Sequence, residues 1–126
     1  MHRYHILVEY VGSSFQGWQT QSTGKTIQKT IEQKIKKILK EKIKLIGSGR
    51  TDSGVHAFEQ SAHFDCKKKI ENLDKFIKSI NYFLNTYLIS ILNIKKKNLK
   101  FHARYSARMR IYKYIIFSRG SKPSIY

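Results

Sequence analysis

Thr26-Ile27-Gln28-Lys29-Thr30-Ile31-Glu32-Gln33-Lys34-Ile35-Lys36-Lys37-Ile38-Leu39 is the stretch that decides the architecture. Apolar side chains recur at Ile27, Ile31, Ile35, Ile38 and Leu39, the spacing that lays one helix face against a core. Lysines fill the opposite face, and Thr26 stands where it can cap the first turn. Upstream, Tyr4 to Tyr10 alternates loosely and reads as a strand. Between the two lies a polar loop, Gly12 to Gly24, containing Gly17 and Trp18. Downstream, Ile43 to Ile46 reads as a short second strand that runs into Gly47-Ser48-Gly49. Ala62 to Cys66 is a third strand. Leu73 to Tyr87 is a second amphipathic helix carrying Phe76, Ile77, Ile80, Phe83, Leu84 and Tyr87. Leu88 to Ile94 is a fourth strand, and Ile111 to Phe117 a fifth, after a basic segment. Lys67-Lys68-Lys69 and Lys95-Lys96-Lys97 read as solvated turns, and Gly120-Ser121-Lys122-Pro123 as a linker.

The resulting order, β-α-β-β-α-β, predicts an α+β fold: a ferredoxin-like half-domain with an additional long antiparallel strand. The 126 residues are enough for one compact domain, which we place at 1–119, with 120–126 as the start of a linker. No apolar run approaches the roughly 18–20 residues needed to span a bilayer. Met1 to Val11 lacks the apolar region and cleavage site of a signal peptide. The single cysteine, Cys66, excludes an internal disulfide and fits a reducing compartment. A cytoplasmic protein without membrane attachment is expected. The formal net charge of +17 points to a polyanionic partner, nucleic acid first. A lysine excess beside abundant isoleucine is also what AT-rich coding produces.

Gly47-Ser48-Gly49-Arg50-Thr51-Asp52-Ser53-Gly54-Val55-His56 is the segment richest in chemistry. Its three glycines let backbone approach a ligand closely. If 50–52 is locally extended, Arg50 and Asp52 project to the same side. A counter-charge of that kind suits a nucleophile that attacks only as a carboxylate. The plainer account is a turn holding a local ion pair. Neither glycine pattern of a phosphate-binding loop occurs. His56, His63, Asp65, Cys66 and His102 match no metal-ligand spacing, so no metal is expected. Phe15 and Trp18 in the glycine loop are expected to anchor it onto the core, since large apolar side chains are usually buried.

The run GSGRTDSGVHAFEQSAHFD (47–65) closely resembles the signature loop of the TruA family of tRNA pseudouridine synthases. Three further stretches resemble the family in order. Tyr10-Val11-Gly12-Ser13-Ser14-Phe15-Gln16-Gly17-Trp18-Gln19 is similar to its first loop, and Thr26-Ile27-Gln28 to its helix start. Phe101-His102-Ala103-Arg104-Tyr105-Ser106-Ala107-Arg108, followed by Arg110-Ile111-Tyr112-Lys113-Tyr114, is similar to its second active-site segment. The likeness spans the whole chain and about half of a typical member.

The resemblance implies an isomerase that converts uridine to pseudouridine at positions 38–40 of the tRNA anticodon stem-loop, with neither cofactor nor metal. It implies Asp52 as nucleophile, and Arg50 either paired with Asp52 or holding the space the displaced base vacates. Tyr112 would stack on the target uracil; alternation alone makes Tyr112 a core strand residue, and Tyr114 shares its face. Arg104, Arg108 and Arg110 are candidate phosphate contacts, their planar forks suiting that group. It implies homodimers and a missing second half that supplies the rest of the cleft. The rival reading is a non-enzymatic, basic RNA-binding module of ferredoxin-like fold, but the aromatic motif of such modules is absent. A peripheral membrane protein using the lysine face of the first helix is a third; it leaves Arg50-Thr51-Asp52 unexplained.

Overall fold

Alternation along the first strand gives the sheet its two sides. The computed structural model describes residues 1–19 and 24–105. In it β1 (His2–Tyr10) buries Tyr4, Ile6, Val8 and Tyr10 and turns Arg3, His5, Leu7 and Glu9 the other way, as a two-residue period requires. β1 pairs antiparallel on one side with β3 (Ala57–Cys66) and on the other with β4 (Ile89–Lys97). β2 (Leu45–Gly47) adds to β3, completing the order β2-β3-β1-β4. This is the predicted α+β arrangement, a four-stranded antiparallel sheet with two helices. The expected fifth strand and the linker lie outside the described residues.

α1 (Ile27–Leu39) has the expected limits. The Thr26 side chain accepts from Lys29 N, satisfying one of the donors a helix start leaves open. Ile27, Ile31 and Ile35 are fully buried, and Ile38 and Leu39 pack partly against the same core. Gln28 explains why polar residues sit on this face. Its amide donates to Leu45 O (2.8 Å), while Glu32 accepts from Leu45 N (2.8 Å), so α1 grips β2 through backbone groups. Burial raises the pKa of Glu32, and the Leu45 N–H opposes that.

α2 (Leu73–Leu84), capped by Asn72, buries Phe76, Ile80 and Leu84 in the same core. The predicted last turn of this helix is a separate 3-10 turn, Asn85–Tyr87. β2 starts at Leu45 rather than Ile43, although Ile43 is buried.

Two sequence expectations are corrected. Lys95-Lys96-Lys97 is not a turn: it is the end of β4, opposite His5, Tyr4 and Arg3. β4 ends the described sheet, and lysines are a usual means of keeping an edge strand from recruiting another. β3 begins at Ala57, five residues before the expected Ala62. Its first half reads poorly because the register shifts between Val8 and Tyr10, an irregularity that interrupts the alternation; Phe58 and Glu59 are both exposed. At the other end of β3, Cys66 is fully buried, its Sγ donating to Lys68 O (3.0 Å). Burial pushes this thiol up to about 11, with Glu41 and Asp65 adding to the effect.

Candidate active site

Two irregular stretches, the one after β1 and the one between β2 and β3, build a single structure by exchanging backbone hydrogen bonds. Trp18 N donates to Thr51 O (3.1 Å), and Gly54 N to Phe15 O (3.2 Å). Gly12 N donates to His56 Nδ1 (2.8 Å), and the Ser53 hydroxyl to Phe15 O (3.2 Å). The backbones approach so closely that a Cβ on Gly12 would overlap the Val55 carbonyl. Gly17, at φ +82°, would bring a Cβ within 2.5 Å of Thr51 O. Phe15 and Trp18 are buried, as expected, and pin the first stretch to the core. From below, the hydroxyl of buried Tyr10 meets Thr51 Oγ1 at 2.7 Å, and Gln60 donates to Gly49 O.

The outcome is a cleft of about 360 Å³ lined by Gln16, Gln19, Arg50, Thr51, Asp52 and Ser53. Asp52 is exposed in it, and so is Arg50. The two share the cleft without an ion pair: among the described residues the salt bridge is Arg3–Asp65. Asp52 therefore presents a carboxylate to whatever enters, on backbone that is braced from both sides. His56 is spent on the loop, its Nδ1 accepting from Gly12. Among the described residues no three His, Cys, Asp or Glu side chains converge as metal ligands.

Comparison with known proteins shows the family. The family profile described as tRNA pseudouridine synthase matches residues 6–106. The chain belongs to this family. It is 68% identical over 125 residues to tRNA pseudouridine synthase A of Pelagibacter ubique (strain HTCC1062), covering 99% of this chain and 51% of that protein. It is 48% identical over 120 residues to the protein of that name from Caldicellulosiruptor bescii, covering 95% and 48% respectively. The chain thus spans about half the length of the curated relatives it matches.

Other residues singled out from the sequence of this pseudouridine synthase family member lie elsewhere. Arg108, Arg110, Tyr112 and Tyr114 are outside the described residues. Arg104 is half-buried in a segment, 98–105, that crosses the second face of the sheet. There the sequence reading missed the main actors. Arg3, held by both oxygens of Asp65 (2.7 and 2.8 Å), donates to the carbonyls of Leu99 (2.7 Å) and Phe101. His63 Nδ1 accepts from Ala103 N (3.0 Å), with the Phe101 and His102 rings packed around it. Tyr105 stacks on His102 at 4.1 Å. Burial drives His63 down to about 4, helped by the charges of Arg3 and His102. Arg3 holds Asp65 below the usual carboxylate range. His63 and Asp65, drawn from the sequence as metal candidates, serve as anchors for backbone.

Proposed function

We propose that Asp52 is the nucleophile of a tRNA pseudouridine synthase, acting on uridine at positions 38–40 of the anticodon stem-loop. The observation that carries this reading is the exposed carboxylate, beside Arg50, in a cleft whose backbone is locked by an adjoining glycine loop. The reaction breaks the N-glycosidic bond, turns the base and rejoins it through carbon, so product and substrate are isomers and no co-reactant is consumed. An anionic side chain can open such a step covalently. Arg50 either pairs with Asp52 once substrate is bound or holds the space the base vacates. Tyr112 stacks on the uracil, returning part of the few kcal/mol needed to extrude a base. Arg104, Arg108 and Arg110 take phosphates. The enzyme works in the cytoplasm as a homodimer, without cofactor or metal. As the chain spans about half of its relatives, we assign the activity to a full-length version and expect the 126-residue chain alone to be inactive.

Asp52→Asn in the full-length background keeps the side-chain shape and removes the anion. Turnover should fall by about 10⁴-fold or more, while tRNA affinity stays within about twofold, the loss lying in chemistry rather than binding. Pseudouridine formation is read by mass spectrometry, which also excludes deamidation back to aspartate. Near-normal turnover by the Asn variant would remove Asp52 from the role.

A further inference from the structure

A second cleft, of about 310 Å³, lies at the start of α1, lined by Lys25, Lys29, Thr30, Gln33, Lys34 and Tyr87. Its electrostatics are unusual. The ammonium groups of Lys25 and Lys34 sit over the same ring, Tyr87, at 4.3 and 5.2 Å from its centroid. Among the described residues neither lysine has a carboxylate partner, and the first turn of α1 holds no acidic residue. The ring face attracts each cation, but it leaves the repulsion between them uncancelled. An anion between the two would reverse that sign.

The helix start itself is not the attraction, because its backbone donors are taken. Ile27 N donates to Gly17 O, Gln28 N to Trp18 O, and Lys29 N to the Thr26 hydroxyl. The recognising groups are therefore the ammoniums. They continue as a track, with Lys37 over Phe83 at 4.4 Å, one turn beyond Lys34 on the same side of the helix. Lys29 to Lys37 spans about 12 Å of helix axis, more than a single small anion occupies.

Position decides which polyanion. Gln16, which lines the Asp52 cleft, donates its backbone N–H to Lys25 O at 2.7 Å. The two clefts are thus linked through a single backbone hydrogen bond. A strand whose base rests against Asp52 is one backbone hydrogen bond away from the second cleft. We infer that the Lys25–Lys34–Tyr87 cleft binds the phosphodiester backbone of the substrate RNA, next to the nucleotide held at Asp52. This rests on the pseudouridine synthase reading above, and goes beyond it in assigning a separate backbone subsite on the helix side of the sheet.

The test measures affinity of the full-length protein for unmodified tRNA across a potassium chloride series. Lys25→Ala and Lys34→Ala should each weaken binding by roughly three- to tenfold at low salt. Each should flatten the log–log salt slope by about 0.7–0.9, the value of one lost phosphate contact. Tyr87→Leu should also weaken binding although it removes no charge, whereas Tyr87→Phe, which keeps the ring, should not. Lys68→Ala, in a turn away from the cleft, serves as the control for net charge and should match wild type. Inorganic phosphate at constant ionic strength should compete only weakly, since it replaces one contact of an extended strand. The inference is overturned if both lysine variants keep wild-type affinity and slope. It is equally overturned if they lose binding to phosphatidylglycerol vesicles while keeping wild-type binding to tRNA. Absence of pseudouridine formation by wild type would sink the functional reading alone, since the binding arms stand without turnover.

Discussion

The loop that carries Asp52 and the segment that carries Arg104 are both irregular backbone attached to β3, yet they are held by opposite means. The Asp52 loop is fastened main chain to main chain, through Thr51 O, Phe15 O and the clearance left by Gly12 and Gly17. The side chains of Arg50 and Asp52 are thereby left exposed to a ligand. Segment 98–105 is fastened by side chains that reach out of the sheet, Arg3 with Asp65 and His63. The first kind of fastening is intolerant of added atoms. The second is titratable, through His63 and Asp65.

That contrast is tested most severely at Gly12. Gly12→Ala puts a methyl group into the Val55 carbonyl, and should cost about 4 kcal/mol, in the range of strained or overpacked sites, measured by urea unfolding. A loss under about 1 kcal/mol would mean the two loops can separate cheaply.

Acid should act on the other region. His63 is held near 4 in the folded state against an ordinary 6.5, so the unfolded chain takes up its proton first as pH falls. Stability from this group is complete above about 6.5, declines between there and about 4, and is flat below, a total of about 3 kcal/mol. Asp65, depressed by Arg3, adds a further loss at lower pH. Urea midpoints at pH 7.5, 6 and 4.5 should fall for wild type and fall less for His63→Gln. Parallel curves would refute the assignment.

Arg3→Met should cost about 2 kcal/mol, because it strands the Asp65 charge and two carbonyls together. Exchange of the Ala103 amide should quicken, while amides of the Asp52 loop should keep their rates. Equal acceleration of both regions would erase the distinction between them. The smallest effect belongs to Gly54→Ala. Gly54 has φ +79° but nothing within 4 Å of a built Cβ, so only backbone strain of about 1 kcal/mol remains. A cost equal to that at Gly12 would show that left-handed geometry, not crowding, governs the loop.

Legibility followed the range of the interactions. α1 and its Thr26 cap were readable because period and cap are local in the chain. Lys95–Lys97 misled because three lysines look alike in a turn and on a sheet edge; pairing with β1 decides between them. The early start of β3 depends on a bulge opposite Tyr10, which leaves no periodic trace. Within the site, Asp52 and Arg50 announced themselves through the glycines around them and the resemblance those carry. Arg3 and Asp65 could not, being 62 residues apart and brought together only by strand register. The shared Tyr87 ring is similarly invisible: nothing near Lys25 in the sequence indicates that an aromatic from the turn after α2 lies under it.

The buried thiol at the end of β3 gives the molecule a built-in clock. Cys66 is the sole sulfhydryl, it is fully covered, and its raised pKa keeps the reactive thiolate scarce at neutral pH. A disulfide reagent in the medium will therefore modify the protein only while the strand end is open. Within these 126 residues the rate of colour release then counts openings directly, with no dye and no engineered probe. Run with and without tRNA, the same reaction reports whether ligand engaged on one side of the sheet quiets breathing at its far end.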